Sequence, residues 1–305
     1  HESMKKESVR RSPLFYVGDK YKLITEIKSH FPKRIRKFVE PFVGGGSVFM
    51  NVCANEYLLN DLDTNVITLH KYLSEQASDI DSFFSYIWSI IKKYDLSCSY
   101  LYDIVPESLK IEFPKTYFAK FNKEKYGRLR LDFNNSDRTD LAILYLLLIY
   151  GFNHMLRFNR SGNFNLPVGN VDFNANTVNA LNDYFDAINS KHPQWYNSDF
   201  RSFLGQVSLS TEDLIYLDPP YLITFSEYNK LWNEQSETDL LELLDTISSK
   251  NIKFAISNVT HYKGRTNDLF LEWAKKYNTH SIKSNYISFH DNSIKSFNEV
   301  LITNY

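Results

Sequence analysis

The tetrapeptide Asp218-Pro219-Pro220-Tyr221 combines groups that could promote a reaction at an aromatic amine. The lone pair of such an amine is delocalised into its ring, so the nitrogen is a poor nucleophile. A carboxylate and a rigidly held backbone carbonyl can accept both amine N–H bonds, and prolines fix that carbonyl without adding donors. The tyrosine could stack on a flat ring. Alone, the tetrapeptide would also fit a proline-rich turn after a strand.

A glycine-rich turn nearer the N-terminus could bind a nucleotide-like cofactor. Residues 40–47 read EPFVGGGS and follow a short apolar run, and Asp61 ends the next apolar run. Glycines let a ligand approach the backbone closely, and doubly wound folds bind nucleotides just beyond the first strand. The spacing F-x-G-x-G disfavours the pyrophosphate cradle that G-x-G-x-x-G forms. Asp61 could accept hydrogen bonds from ribose hydroxyls.

Alternating strand and helix patterns surround both motifs. Short apolar strands are predicted at residues 38–42, 57–61, 214–217, 254–257 and 299–303. Helical periodicity fills several of the intervals, and Ser47 is predicted to cap the first helix. The pattern predicts an α/β fold with a Rossmann-like parallel sheet. The glycine turn and Asp218 then both follow the carboxyl ends of buried strands.

The middle of the chain has a different pattern. Residues 74–150 carry apolar side chains at helical spacing and few strand signals. Residues 157–169 follow, and Ser161-Gly162 between two short flanks indicates a β-hairpin. We therefore predict one domain at residues 4–73 and 176–305, interrupted at residues 74–175 by a mostly helical domain that carries the hairpin.

Positive charge is segregated along the chain although the net charge is −1. Residues 1–38 contain eleven Lys and Arg against four acids, and residues 110–130 contain seven against two. Such segregation suits a polyanionic partner. From charge alone, two solvated surfaces are the simpler interpretation.

Composition narrows the class of protein. The chain is 43% hydrophobic, which indicates a globular fold. Its longest apolar run, residues 141–152, is too short to span a bilayer, and the N-terminus lacks a signal-peptide pattern. Cys53 and Cys98 form neither a metal-spaced pair nor a disulfide framework. We predict a reducing, cytoplasmic location, with no membrane partner and no metal site.

Taken together, these motifs resemble the Dam-type adenine-N6 DNA methyltransferases, the α group in which the cofactor motif precedes the recognition domain. The resemblance covers residues 16–305, nearly the whole chain. It rests on six ordered segments and one hairpin motif, at residues 16–20, 40–49, 59–61, 199–200, 218–221 and 299–305, and at residues 157–169.

The resemblance implies transfer of a methyl group from S-adenosylmethionine to the N6 amine of an adenine flipped out of duplex DNA. It assigns catalysis to Asp218, Pro219 and Tyr221. It assigns cofactor binding to Tyr16, Lys20, Pro41, Phe42, Gly44, Gly46, Ser47, Asp61, Asp199 and Phe200. It assigns DNA binding in the domain at residues 74–175 to Arg157, Asn159, Asn165, Pro167 and Asn170.

Two departures from the family pattern bear on these assignments. Tyr16 and Asp19 stand where the family usually has Trp and Gly. Members that read GATC usually carry a basic residue at the position of Asn170, so the resemblance does not predict GATC as the recognition site. Arg157 is expected to read a guanine, with a phosphate contact as the alternative.

Other functions remain open at this stage. The chief alternative is N4-cytosine methylation, although such enzymes more often begin the catalytic motif with Ser. RNA or protein-amine methylation and a non-catalytic DNA-binding protein are further alternatives, whereas a nicotinamide oxidoreductase would require G-x-G-x-x-G. The expected partners are double-stranded DNA and a separately encoded restriction endonuclease, with the chain acting as a monomer.

Overall fold

The computed structural model describes residues 8–224, 231–282 and 298–305. Its helices are α1 (Ile24–Ser29), α2 (Ser47–Met50), α3 (Thr64–Gln76), α4 (Ile80–Lys93), α5 (Glu107–Glu112), α6 (Tyr117–Asn135), α7 (Leu141–Tyr150), α8 (Ala175–Lys191), α9 (Phe200–Gln206), α10 (Glu234–Ser249) and α11 (Asp268–Ala274). Its strands are β1 (Lys37–Glu40), β2 (Glu56–Asn60), β3 (Gln194–Tyr196), β4 (Leu214–Leu217), β5 (Lys253–Tyr262), β6 (Arg265–Thr266), β7 (Asn278–Ser281) and β8 (Asn298–Thr303).

The described strands form one mostly parallel sheet in the order β3-β2-β1-β4-β5-β8-β7, with β6 paired to β5. The strands from β3 to β5 along this order run parallel. β8 runs antiparallel to β5 and β7. Because β1 and β4 are parallel neighbours, the residues that follow them share the carboxyl edge of the sheet. The predicted Rossmann-like α/β fold is confirmed.

The first compact unit contains this sheet. It comprises Lys20–Asp63 and Lys191–Tyr305 with the segment before Arg10. Every residue of β4 is buried, and the leucines of α10 at positions 240, 241 and 244 pack in the same core. A capping box formed by Asn233 and Ser236 starts α10, because it satisfies backbone N–H groups that the helix leaves unpaired. Apolar burial and capping thus place the strand that leads to Asp218.

The second compact unit is mostly helical and comprises Arg10–Asp19 and Thr64–Ser190. Its central helix α7 is almost entirely buried, as its continuous apolar sequence requires. The chain passes from the first unit to the second between residues 63 and 64 and returns to the first between residues 190 and 191. The sequence predicted these domain limits at 73/74 and 175/176. The assignment of residues 74–175 to DNA recognition stays a prediction.

The prediction that Ser47 caps a helix was wrong. Gly46 takes the cap position with φ of +89° and no side-chain hydrogen bond, and Ser47 is the first residue of the single-turn helix α2. The left-handed backbone at Gly46 turns the chain there, so Ser47 enters the helix instead of preceding it. In the part of the chain that the structure describes, no helix is both long and apolar enough to cross a bilayer.

Candidate active site

Asp218 lies at the carboxyl edge of the sheet, directly after β4. The hydroxyl of Tyr221 donates to its Oδ1 at 2.7 Å. The ammonium of Lys20 lies 3.4 Å from the same oxygen, and the Asp218 side chain is 21% exposed. Pro219, the residue after Asp218, is buried. The structure therefore brings together all three predicted catalytic residues and fixes one oxygen of the carboxylate.

Lys20 also contacts a carboxylate that the sequence interpretation did not select. Its Nζ lies 3.4 Å from Oε1 of Glu299 on β8, and the side chains are 8% and 3% exposed. Although burial lowers the pKa of Lys20, the charges of Asp218 and Glu299 raise it overall, so the ammonium stays protonated. Burial raises the pKa of Glu299, against the opposing effect of Lys20. Lys20, predicted to bind cofactor, thus belongs to the ion cluster around Asp218.

The glycine turn follows β1 at the same edge of the sheet. Gly44 and Gly46 have φ of +50° and +89°, backbone that residues with a Cβ rarely adopt. The buried Glu40 ends β1 just before the turn, and the Pro41 carbonyl accepts from Nδ2 of Asn60 at 3.0 Å. This hydrogen bond fixes the turn to the neighbouring strand β2. A ligand can approach the backbone of the turn closely only at its glycines, which lack a side chain.

Asp61 links the end of β2 to this turn. Its Oδ2 accepts from the backbone N–H of Gly44 at 2.9 Å, and its Oδ1 accepts from that of Asp63 at 3.0 Å. The residue is partly exposed, yet enough protein surrounds the carboxyl group that burial raises its pKa to about 6. Asp61 is therefore ionised at neutral pH and can accept from ligand hydroxyls.

Three aromatic rings lie together next to the turn. The ring centroids of Phe42, Phe200 and Trp232 are 5.5–5.6 Å apart in each pair. Asp199 precedes Phe200, caps α9 through the backbone N–H of Arg201 at 2.9 Å, and binds the Arg201 guanidinium at 3.0 Å. Trp232 was missed by the sequence interpretation because it lies outside the motifs and has no spacing relation to Phe42.

The exposed parts of these groups suit a nucleoside-like ligand. Asp61 has carboxylate oxygens that can accept from hydroxyls, and the partly exposed Phe42 offers apolar surface. Phe200 is only 4% exposed and supports the Phe42 ring from the core. Burial raises the pKa of Tyr216, and the carboxylates of Asp218, Glu40 and Glu299 raise it further, so three acidic groups lie near this residue. Tyr16, another predicted cofactor residue, belongs to the second unit, where its carbonyl accepts from Asp19 N–H in a tight turn.

The predicted hairpin in the second unit is present as an irregular one. Single antiparallel bridges join Phe158 to Phe164 and Gly151 to Val168. The tip is a turn in which the N–H of Gly162 donates to the carbonyl of Asn159 at 2.9 Å. Asn159 also accepts from the N–H of Asn163 through its side chain at 2.9 Å. Asn159 thus forms the turn that presents the tip.

One face of α6, together with Arg138 three residues after the helix ends, holds the hairpin backbone. The hydroxyl of Tyr126 and the guanidinium of Arg130 donate to the Leu166 carbonyl at 3.0 and 2.9 Å. Asn134 both donates to the Phe164 carbonyl at 2.9 Å and accepts from its N–H at 2.8 Å. Arg138 donates to the Gly162 carbonyl and to Oδ1 of Asn163. We call these four residues, Tyr126, Arg130, Asn134 and Arg138, the α6 ladder.

Two glycines close the base of the hairpin. A Cβ on Gly169 would lie 2.8 Å from the carbonyl oxygen of Gly151. A Cβ on Gly151 would lie 2.4 Å from Cδ2 of Leu166 and 2.5 Å from the Leu147 carbonyl oxygen. Both distances are too short for real atoms, so the backbones touch here only because the side chains are absent.

The predicted DNA-binding side chains take part in this framework. Arg157 donates from Nε to Oδ1 of Asn165 at 3.0 Å and from Nη2 to the Asn165 carbonyl at 2.9 Å. The exposed Pro167 accepts from Phe152 N–H through its carbonyl. Asn170 accepts from the N–H of Ala119 at 3.1 Å and donates to the Lys115 carbonyl at 2.7 Å, which secures the first turn of α6. A guanidinium has five N–H donors, so Arg157 keeps donors for a further ligand.

Among the described residues, no group of three or more His, Cys, Asp or Glu side chains is arranged to hold a metal ion.

Comparison with known proteins agrees with this geometry. The profile of the D12 class N6 adenine-specific DNA methyltransferases matches residues 16–287. The Type II methyltransferase M.FokI of Planomicrobium okeanokoites is 35% identical over 99% of this chain and 44% of its own length. The modification methylase StsI of Streptococcus sanguinis is 34% identical over 97% of this chain and 43% of its own length.

A shorter relative is matched along most of its length. The DNA adenine methylase of Salmonella typhi is 27% identical over 90% of this chain and 87% of its own length. The chain spans less than half the length of M.FokI and StsI. The family profile covers the glycine turn, the hairpin and the catalytic tetrapeptide together. The chain belongs to the family of D12 class N6 adenine-specific DNA methyltransferases.

Proposed function

We propose that this chain transfers the methyl group of S-adenosylmethionine to the N6 amine of an adenine flipped out of duplex DNA. One observation carries the proposal. Asp218 lies beside the glycine turn at the sheet edge, and its described contacts from Tyr221 and Lys20 reach Oδ1. Oδ2 is then the oxygen that accepts an amine N–H, with the backbone carbonyl of Pro219 as the second acceptor.

The chain's own groups activate the amine. Asp218 and the Pro219 carbonyl draw the nitrogen lone pair out of conjugation by accepting both of its N–H bonds. When bound, S-adenosylmethionine supplies a methyl group on a sulfonium, which is electrophilic without a Lewis acid. As the N–C bond forms and the S–C bond breaks, the amine nitrogen gives up one proton, and Asp218 is placed to take it. These contacts strengthen as charge develops on the nitrogen, which is how they favour the transition state.

The cofactor-binding role of the predicted residues is part of this proposal. Asp61 would accept from the ribose hydroxyls, the turn at Gly44 and Gly46 would admit the ligand to the backbone, and Phe42, supported by Phe200, would pack on the adenine. The Asp61 carboxylate is already held in place by Gly44 N–H, so it needs no rearrangement to accept. Both oxygens of Asp199 already accept from Arg201, so Asp199 would reach the adenine amine only through a remaining lone pair.

We further propose that residues 74–175 recognise the DNA. The α6 ladder holds a hairpin that presents Arg157, Asn159, Asn165 and Pro167, and α6 exposes Lys120, Lys123 and Arg128 as candidates for phosphate contacts. The relatives named as modification methylases support a role beside a separately encoded restriction endonuclease. Action as a monomer belongs to the same proposal.

The test is methylation of a defined DNA by the purified chain. A plasmid is incubated with isotopically labelled S-adenosylmethionine, digested to nucleosides and analysed by mass spectrometry. Single-molecule sequencing of the same plasmid then maps the modified positions. We expect N6-methyladenine at one short recurring sequence. N4-methylcytosine as the sole product, or no product with the wild-type chain, would contradict the proposal.

A further inference from the structure

Glu299 is a buried acidic residue that has no assigned function. It lies on β8, opposite Val259 of β5, next to an irregularity in the pairing of these strands. Its side chain is 3% exposed, and it meets the ammonium of Lys20 at 3.4 Å, the same distance that separates Lys20 from Asp218. A single ammonium thus lies at the same distance from two carboxylates, one on β8 and one directly after β4.

Burying the carboxyl group of Glu299 disfavours its ionised form. Burial disfavours its ionised form more than Lys20 favours it, and the pKa is raised. A carboxyl group with a raised pKa binds protons more readily in the folded chain than in the unfolded one, so its ionisation weakens the fold as pH rises. A neutral residue of the same shape would avoid this cost, so the position calls for a different explanation.

Because Lys20 contacts both carboxylates, the electrostatic potential at Asp218 depends on Glu299 as well. An ammonium paired with one carboxylate in a buried site would neutralise it and weaken it as an acceptor. A second carboxylate at equal distance divides the attraction, and its own negative charge opposes the neutralisation. Lys20 then holds Asp218 in position, together with Tyr221, while Asp218 keeps its power to accept from an amine.

We propose that Glu299 is a positioning residue that sets the acceptor strength of Asp218 through Lys20. The inference rests on the proposed function, because Asp218 matters as an acceptor only if an amine is the target. Among the described residues, the charged and titratable groups near Glu299 include Lys20 from the N-terminal segment, Asp218 and Tyr221 after β4, and Tyr216 within β4. Each of these four residues belongs to the first unit.

The principal experiment compares Glu299→Gln with wild type in methylation of the mapped site. We expect kcat to fall roughly 10-fold, a fraction of the total contribution of acid–base groups. The KM for S-adenosylmethionine and its affinity by calorimetry should change less than about 3-fold, since Glu299 acts on the amine side of the reaction. The acid limb of the pH–rate profile should move to lower pH, because the variant removes a negative charge from the cluster.

A stability measurement separates this role from a structural one. Because glutamine mimics the protonated form, the thermal midpoint of Glu299→Gln at pH 7.5 should equal or exceed that of wild type. The matched control is Asp213→Asn. Asp213 is a buried carboxylate at the other end of β4, and it binds Arg36 through two hydrogen bonds of 2.9 Å. That variant should lower the midpoint and leave kcat per folded molecule unchanged.

A second pair of variants tests the coupling directly. Lys20→Met leaves two carboxylates without their shared cation and should lower both kcat and the thermal midpoint. The double variant Lys20→Met/Glu299→Gln removes the repulsion, so it should be more stable than Lys20→Met and should recover at least part of its rate. Additive losses in the double variant would contradict the shared-cation role.

The outcomes distinguish this inference from the proposed function. An inactive wild-type chain would refute the proposed function and leave Glu299 without a reaction to act on. An active wild type with a Glu299→Gln variant that keeps its kcat and its pH profile would overturn the inference alone. A fall in kcat matched by an equal loss of folded protein would also overturn it, because that result needs only a structural role.

Discussion

The ion cluster around Asp218 and the hairpin held by α6 are built by opposite means. In the cluster, side chains contact side chains: Lys20 joins Asp218 and Glu299, and Tyr221 donates to Asp218. In the hairpin, side chains of α6 contact mainly backbone carbonyls and N–H groups. One region fixes functional groups, and the other fixes a chain path.

This difference determines which residues can change in each region. In the cluster, substitution of any member alters the charge that the others experience, because the groups are buried and close. In the hairpin, most ladder contacts reach backbone atoms, so an exposed side chain such as that of Arg160 can vary without loss of these contacts. Asn163, which accepts from Arg138, and the buried Phe164 are more constrained. The ion cluster should therefore tolerate fewer substitutions than the exposed tip of the hairpin.

The largest effect should follow from Asp218→Ala. We expect methyl transfer to fall by at least about 10³-fold, since the amine loses its principal acceptor. Affinity for S-adenosylmethionine by calorimetry and the circular dichroism spectrum should stay near wild type. Asp218→Asn should also be severely impaired, because an amide carries less negative charge. Near-normal turnover in either variant would remove Asp218 from the mechanism.

Arg157→Ala should alter recognition without touching the chemistry. Loss of a bidentate contact to guanine costs about 1–3 kcal/mol at one base pair. The measurement is a rate profile over single-base variants of the mapped site, with Arg160→Ala as the matched control from the exposed tip. Equal slowing on every variant site would instead assign Arg157 to a phosphate contact.

The ladder offers a complementary test of backbone support. Asn134→Ala leaves the N–H and carbonyl of Phe164 without their partner, which should destabilise the protein by about 1–3 kcal/mol in denaturant unfolding. Rates on all sites should fall together, because the hairpin loses its shape instead of one base contact. A changed preference at a single base pair would show that the ladder also reads sequence.

Cofactor binding should depend on pH through Asp61. Its pKa is raised to about 6 by burial, and hydroxyl donors favour the ionised form. Binding should therefore release protons near that pH, and affinity should fall as pH decreases through about 6. Calorimetric titrations between pH 5 and 8 should show a fall of roughly 10-fold in wild type and a flat profile in Asp61→Asn, which is weak throughout.

The smallest effects concern exposed charge and metals. Lys123→Ala should weaken binding to specific and non-specific DNA alike and reduce the salt dependence of binding by about one phosphate contact.

Excess EDTA should leave the methylation rate unchanged, because a sulfonium leaving group needs no Lewis acid. Loss of activity restored by a divalent ion would require a metal in the reaction.

The sequence predicted the elements that carry strong local signals. β4, α7 and the hairpin turn follow from apolar runs, helical spacing and Ser161-Gly162. Strands β3, β6 and β7 were not predicted, because each has at most four residues and none contains an apolar run long enough to indicate a strand. Local patterns thus identify elements whose own composition specifies them.

Contacts between distant segments were beyond the sequence. Glu299 was identified only as part of a strand, since no spacing relates residues 20, 218 and 299. The α6 ladder was not predicted, because a spacing of four can place Tyr126, Arg130 and Asn134 on one helix face but does not show that this face meets the hairpin backbone. Asn170 shows the same limit, because its amide contacts residues about fifty positions earlier in the chain.

The contact between Gly151 and Gly169 has a practical consequence for redesign. We expect the segment between them to be replaceable as a unit, because the two backbones contact each other where no side chain fits. A tip taken from a relative with another target sequence should be accepted if both glycines and the ladder are kept. Replacing either glycine with alanine should distort this backbone contact, and a different tip sequence should not restore it.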